Sequence, residues 1–409
     1  MKNNQNNELI LGILRGNSNG GLQPRLQGLS ERDWAAIVRE SLRHCIAPLL
    51  YRSLTRNFRE VCVPERVLRC LKDVYLHITA RNIRFYHALD QLLKGIGDSV
   101  PVLLLKGGHL AAFIYPNIGL RSMADMDILI HKIDLPEVAK ALRELDYTRS
   151  MEEPDHPFHI SYLDPTRTVS IEIHWNICPE KCPQNFLNIE DLWTDARSEV
   201  FKENEIKALR PEHLLLHICL HDAVQHSYYF GLKTLCDIDA IIRCYREEID
   251  WEMVVSCARH WTITKCTYLT FLLAKVLMCT DVPERVLAGL EPPDFGKENL
   301  SWGRNAIFEP PFQDEPISAS FAEFWGASRY KNKLALLFES LFPPRETMAR
   351  TYSVPSNAPR ILLCYPWRLI EFFMRYGRSF REIWKPGSEV HTGLEAEHSR
   401  VLLREWLQT

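Results

Sequence analysis

Asp125 and Asp127 stand one residue apart, and the apolar run "ILI" follows them directly. Successive side chains of a β-strand point to opposite faces, so both acids share the face opposite Met126, Ile128 and Ile130. Two carboxylates held that close repel each other, and neither stays ionised away from water without a counter-charge. Any fold open to this chain must therefore bring positive charge to that strand, and a divalent cation meets the need. The later segment "TVSIEIHW" repeats the pattern: Val169, Ile171 and Ile173 face one way, Glu172 and His174 the other. A third carboxylate aimed from a neighbouring strand would complete a hard, oxygen-rich site suited to Mg²⁺, with Mn²⁺ as the alternative.

Upstream, "VPVLLLK" reads as a short buried strand bounded by Pro101 and by Gly107 and Gly108, and "HLAAFIY" after it as a helix. Without side chains, the two glycines let backbone N–H groups approach an anion, and Lys106 adds a full positive charge. A triphosphate fits between this turn and a metal on the acids. Arg121 and Lys106 are the candidate phosphate contacts.

The rest of the chain sets these strands among helices. Residues 1–25, rich in Asn and Gly, read as a flexible N-terminus. Residues 26–96 form an N-terminal helical region. Trp34, Ile37, Val38, Leu42 and Ile46 recur at helical spacing behind a Ser30 N-cap, and two further helices follow at about 64–78 and 79–96. Residues 97–203 make a compact α/β or α+β core that carries these acids. It holds a helix from Leu135 to Leu145 and an antiparallel pair, "FHISYL" and "TVSIEIHWNI", turning at Asp164 and Pro165. Residues 204–409 are again helical in period and form a C-terminal helical domain.

With 46% hydrophobic and 25% charged residues the chain is of ordinary globular composition. A formal charge of −3 gives no global basic field, so nucleic acid is the less favoured partner. The 12 cysteines show no extracellular spacing, and the opening "MKNNQNNELILGILRGN" lacks the apolar core of a signal peptide, which points to a reducing cytoplasm. Cys178 and Cys182 in "CPEKC" are half of a metal-site pattern with no second pair. No apolar run is long enough to span a bilayer.

In their order, "LLLKGGHLAAFIYPNIGLRSMADMDILI", then "ALRELDY" and "IEIHW", resemble the bacterial uncharacterised nucleotidyltransferase family of the polymerase-β-like superfamily. The resemblance continues through "LRPEHLLLHICLHDAVQH" and "CDIDAIIRCYREEIDW". It implies an α+β fold, a small mixed sheet flanked by helices. It also implies Gly107 and Gly108 at a nucleotide loop, and Asp125, Asp127 and Glu172 as catalytic metal carboxylates. The implied reaction moves a nucleoside monophosphate from an NTP such as ATP to a hydroxyl or phosphate of an acceptor: a small molecule, a peptide or a protein. The alternatives are a non-catalytic nucleotide-binding or regulatory protein on the same fold, and a related phosphate-directed transferase.

Further candidates lie downstream. His213, His217 and His221 fall on one side of a helix, which fits either a metal site or packing, and His221 is a candidate for the acceptor side together with His174. Asp237 either lines the cleft as an acceptor-side base or pairs with Lys233 one turn back. Asp237 and Asp239 diverge by about 200° on a helix and cannot act as the strand pair does. The basic, aromatic stretch at 360–385 fits a helix packed on the protein or lying on a membrane or partner.

Overall fold

The computed structural model describes residues 2–16, 21–150, 157–177, 187–309, scattered positions between 342 and 368, and 389–408. The "CPEKC" pair and most of the basic, aromatic stretch lie outside the described residues. The architecture is α+β, as the sequence led us to expect.

Seven strands form one mixed sheet: β1 (Leu103–Leu104), β2 (Met126–Leu129), β3 (Thr148–Arg149), β4 (His159–Leu163), β5 (Ser170–His174), β6 (Arg197–Phe201) and β7 (Asn204–Ala208). Their spatial order is β3-β4-β5-β2-β1-β7-β6. The anticipated β4–β5 hairpin is antiparallel, with Ser161 opposite Glu172. Strand β2 runs parallel to β5, placing Asp127 opposite Glu172 and Leu129 opposite His174. The sheet extends past residue 203, because β7 pairs with β1.

Helices α1 (Lys2–Arg15), α2 (Leu22–Gln27), α3 (Glu31–Arg43), α4 (Ala47–Asn57) and α5 (Glu65–Ile96) precede the sheet. The flexible N-terminus expected at 1–25 is corrected by α1, where Leu9, Ile10, Leu11 and Ile13 are fully buried. Its polar start hides an apolar end that packs against α3 and α4. Ser30 does cap α3: its hydroxyl accepts the Asp33 N–H, while the Asp33 carboxylate accepts the Ser30 N–H. Such a reciprocal box contributes about 1 kcal/mol. The two helices expected between 64 and 96 are a single 32-residue α5, since nothing in "LHITARN" breaks the backbone ladder.

Within and after the sheet come α6 (Lys106–His109), α7 (Leu135–Glu144), α8 (Ile189–Thr194), α9 (Pro211–Leu220), α10 (Leu232–Cys244), α11 (Trp251–His260), α12 (Thr264–Leu273), α13 (Glu284–Leu290), α14 (Lys297–Phe308) and α15 (Glu389–Gln408). The chain divides into two compact units. The first comprises 1–226 and 230–295; the second comprises 227–229 and 296–409, where α14 packs on α15 and Arg400 donates to the Ala306 carbonyl. In the first unit, Met126, Ile128, Ile171 and Ile173 enter a core shared with Phe85, Leu89 and Leu92 of α5 and Val138 and Leu142 of α7. The apolar half of each alternating strand is thus accounted for, and the acids are left to the opposite face.

Candidate metal centre

Asp127, Glu172 and His174 each bring one ligand atom to a common spot, all within 4.8 Å of one another. Parallel pairing is what aligns them: register-matched residues of β2 and β5 share a face, and His174 lies two residues beyond Glu172. The His174 Nε2 is 2.9 Å from Asp127 Oδ1 and 3.3 Å from Glu172 Oε2. Lys106 completes the cluster, its Nζ 2.7 Å from the same Asp127 oxygen. Asp127 is almost fully buried, with its side chain 3% exposed, against 15% for Lys106 and 19% for Glu172.

The charges are mutually balanced. Burial raises the cost of ionising Asp127, but the Lys106 ammonium and the His174 hydrogen bond hold its pKa well below the ordinary value. Burial likewise opposes charge on Lys106, and Asp127 followed by Glu172 outweighs it, so the ammonium is held above its ordinary pKa. For His174, burial and the Lys106 charge act downward, and the hydrogen bonds to Asp127 and Glu172 prevail, raising its pKa.

Asp125 differs from the sequence expectation in position. It sits at a bend one residue before β2 and is not in the three-ligand group, so the strand geometry that joined it to Asp127 does not extend to it. It still feels the cluster: burial first, then the Asp127 and Glu172 charges, push its pKa up to about 7.

The glycines sit inside α6 rather than ahead of it. A Cβ on Gly108 would lie 2.8 Å from Leu104 Cδ1 and from Met126 Sδ, and one on Gly107 would lie 2.8 Å from the Met123 Cβ. Their smallness lets α6 press onto the sheet, and Tyr86 of α5 fixes it there through a 2.7 Å hydrogen bond to the Gly108 carbonyl. Lys106, which opens α6, has a left-handed backbone with φ of 36°. Such strain in a non-glycine residue persists only where its surroundings enforce it, and here the chain must turn from β1 into α6 while aiming Nζ at Asp127.

Arg121 and Asp237 are brought together, not to the cluster. Arg121 Nη2 lies 2.8 Å from Asp237 Oδ2, its Nε 3.1 Å from both carboxylate oxygens, and Tyr115 donates its hydroxyl to Asp237 Oδ1 at 2.8 Å. The pairing of Asp237 with Lys233 weighed from the sequence is corrected: α10 turns Asp237 to Arg121, while Lys233 Nζ lies over the Phe230 ring at 4.1 Å.

Helix α9 lays its histidines beside this face, and α6 packs against it. His213 departs from the other two, its ring tilted against Trp261 and its Nε2 3.9 Å from Asp195 Oδ2. His217 is pushed down to about 3 by burial and then by the Lys106 charge. His221 opens a π-helical turn, His221–Gln225, and its Nε2 lies 3.3 Å from that of His226. Burial and then Lys106 lower His221 well below its ordinary value and His226 to about 4. Among the described residues the histidine trio forms no metal-ligand group. His226 is absent from the sequence reading, yet the five-residue step in "HDAVQH" was a usable signal, since a π-helical turn brings residues i and i+5 together.

The match to a known family covers the helices and strands that build this cluster: residues 30–278 match the family described as uncharacterised nucleotidyltransferase. The chain belongs to that family. No curated protein matches it significantly. Among solved structures, the crystal structure described as that of JHP933 from Helicobacter pylori is similar at 14% identity and a TM-score of 0.28, covering 51% of this chain and 88% of that one. A likeness that slight carries no argument about fold or function. As a nucleotidyltransferase-family chain, the protein has an NTP and some acceptor as its implied reactants. Among the described residues, no helix is long and apolar enough to cross a membrane.

Proposed function

We propose that the protein is a Mg²⁺- or Mn²⁺-dependent nucleotidyltransferase that moves a nucleoside monophosphate from an NTP, with ATP the first to try, to a hydroxyl or phosphate of a small molecule, peptide or protein. The observation that carries this reading is the buried Asp127, Glu172 and His174 cluster with Lys106 at its edge. The donor set fits a divalent ion: two carboxylates with one imidazole suit Mn²⁺ as well as Mg²⁺, and Asp125 is close enough to feel their charge. When bound, such an ion would polarise the triphosphate and neutralise charge developing on leaving pyrophosphate.

The chain's own residues supply the rest. Lys106 presents an ammonium beside the carboxylates, where the phosphate chain would lie, and Gly107 and Gly108, inside α6, are the proposed nucleotide-binding backbone. Asp127 keeps Lys106 charged and holds it in place. His221 is neutral at pH 7 and a weak base, so we assign it to positioning the acceptor rather than to taking its proton. Arg121 and Asp237, tied to each other, hold the loop that leads into Asp125. None of the ten described cysteines forms a disulfide, and the setting we propose is the cytoplasm.

The test is incubation with each NTP, Mg²⁺ or Mn²⁺ and cell extract, following pyrophosphate release and acceptor mass. An acceptor heavier by one nucleoside monophosphate is expected. Acceptor mass unchanged under every NTP would leave the non-catalytic reading, which has one observation in its favour: Asp127 is already balanced by Lys106 and His174 without a metal.

Metal affinity should depend on pH with a definite sign. Asp125 holds its proton up to about pH 7 in the folded protein, and His174 also binds its proton more tightly than usual. A metal must displace the His174 proton, and loss of the Asp125 proton adds negative charge beside it, so affinity rises with pH and falls about tenfold per pH unit on the acid side of each titration. Without metal, the raised Asp125 pKa adds stability at low pH, and that contribution is lost as pH climbs from the ordinary carboxylate range to about 7. Calorimetric titration with Mn²⁺ at pH 6, 7 and 8, in buffers of different ionisation enthalpy, reads both the affinity and the protons released. A pH-independent affinity would sink this expectation.

A further inference from the structure

A cavity of about 540 Å³ opens between α1, α4 and α10, and none of the candidate metal ligands lines it. Its volume is that of a ligand pocket, for which about 300–1,000 Å³ is usual. Four guanidiniums line it, those of Arg15, Arg52, Arg56 and Arg243, against a single carboxylate, Asp239. That carboxylate is already engaged, 2.8 Å from Arg243 Nε and 3.0 Å from the Thr280 hydroxyl. Arg15 donates to the Leu277 carbonyl at 2.7 Å and 3.0 Å, which orients its guanidinium without neutralising it.

Arg52 and Arg56 are one turn apart on α4, and among the described residues neither has a carboxylate within ion-pair distance. Like charges at i and i+4 destabilise a helix unless something offsets them. The strain registers on Arg52, whose pKa is lowered first by partial burial and then by the Arg56 charge. A wall that gathers four guanidiniums against one carboxylate is arranged for an anion from solution.

We propose that this cavity is a second binding site, for a small ligand carrying at least two phosphates. Guanidinium forks match phosphate oxygens in pairs, and two of them a turn apart bracket adjacent phosphates. The site shares no lining residue with the metal centre: Tyr115 lines the cavity and its hydroxyl bonds Asp237, which pairs in turn with Arg121. A ligand there therefore need not be the NTP being consumed, and the proposal does not rest on the catalytic reading.

The experiment is calorimetric titration of the full chain with inorganic pyrophosphate, free of divalent metal, at moderate salt. Binding in the micromolar range is expected, with Arg52→Gln/Arg56→Gln weakening it at least about tenfold per guanidinium removed and Arg52→Lys/Arg56→Lys retaining part of it. Inorganic phosphate should bind far more weakly, and ATP at least as well as pyrophosphate. Unchanged pyrophosphate affinity in the Gln double variant would overturn the proposal and place the anion elsewhere, as would no binding to the native chain below millimolar. Should the double variant fail to fold, arginine-selective phenylglyoxal labelling of the native chain decides: protection of Arg52 and Arg56 by pyrophosphate supports the site, and equal labelling with and without it rejects the site.

Discussion

Asp127→Asn is expected to reduce NTP-dependent pyrophosphate release by about three orders of magnitude or more, equivalent to at least about 4 kcal/mol of transition-state stabilisation. The asparagine keeps the shape and removes the charge on which the proposed metal, Lys106 and His174 all converge. The same change should destabilise the fold by about 3–5 kcal/mol, because a buried partner of an ion pair is left uncompensated. Asp125→Asn separates the two effects. Asp125 carries a proton up to about pH 7 and repels its neighbours above it, so its amide should leave stability unchanged or raise it at pH 8 while still impairing turnover. Urea unfolding and pyrophosphate release on both variants check the pair. Retention of more than a tenth of native turnover by Asp127→Asn would remove the cluster from the chemistry.

Arg121→Ala and Asp237→Ala should each lower stability by about 3–5 kcal/mol, since each strands a charge in a pair whose side chains are only 9% and 2% exposed. Replacing both at once with apolar residues, Arg121→Met with Asp237→Leu, should recover most of that loss. Denaturant midpoints for the three variants measure both the losses and the recovery. A cost below about 1 kcal/mol for either single variant would show that the bridge does not hold the loop carrying Asp125. Arg121→Lys adds a functional reading: a rise in NTP KM without loss of stability would return Arg121 to the phosphate contacts.

How much of this was legible in the chain depends on the range of the interaction. Strand β2, the β4–β5 hairpin, α7 and the Ser30 cap are written in local alternation, spacing and turn chemistry, and each lies where those rules put it. Alternation fixes which face Glu172 and Asp127 occupy, but not which strand lies beside which. The parallel β2–β5 register that joins them therefore had to come from the assembled sheet. The Lys106–Asp127 and Arg121–Asp237 pairs span 21 and 116 residues, beyond any local period. The acceptor-side reading of His174 missed its contact with Asp127 for the same reason. Helix α1 was hidden because its buried Leu9, Ile10 and Leu11 are consecutive, which leaves no amphipathic stripe to see.

Lys106 gives the chain a counter-ion of its own, covalently attached and always at hand. A carboxylate site that relied on dissolved metal alone would tear at the sheet whenever metal ran short. Here the ammonium at 2.7 Å balances Asp127 whether or not the proposed metal is bound. On the proposed metal dependence, treatment with a chelator should therefore stop turnover reversibly and leave a folded chain that resumes on resupply.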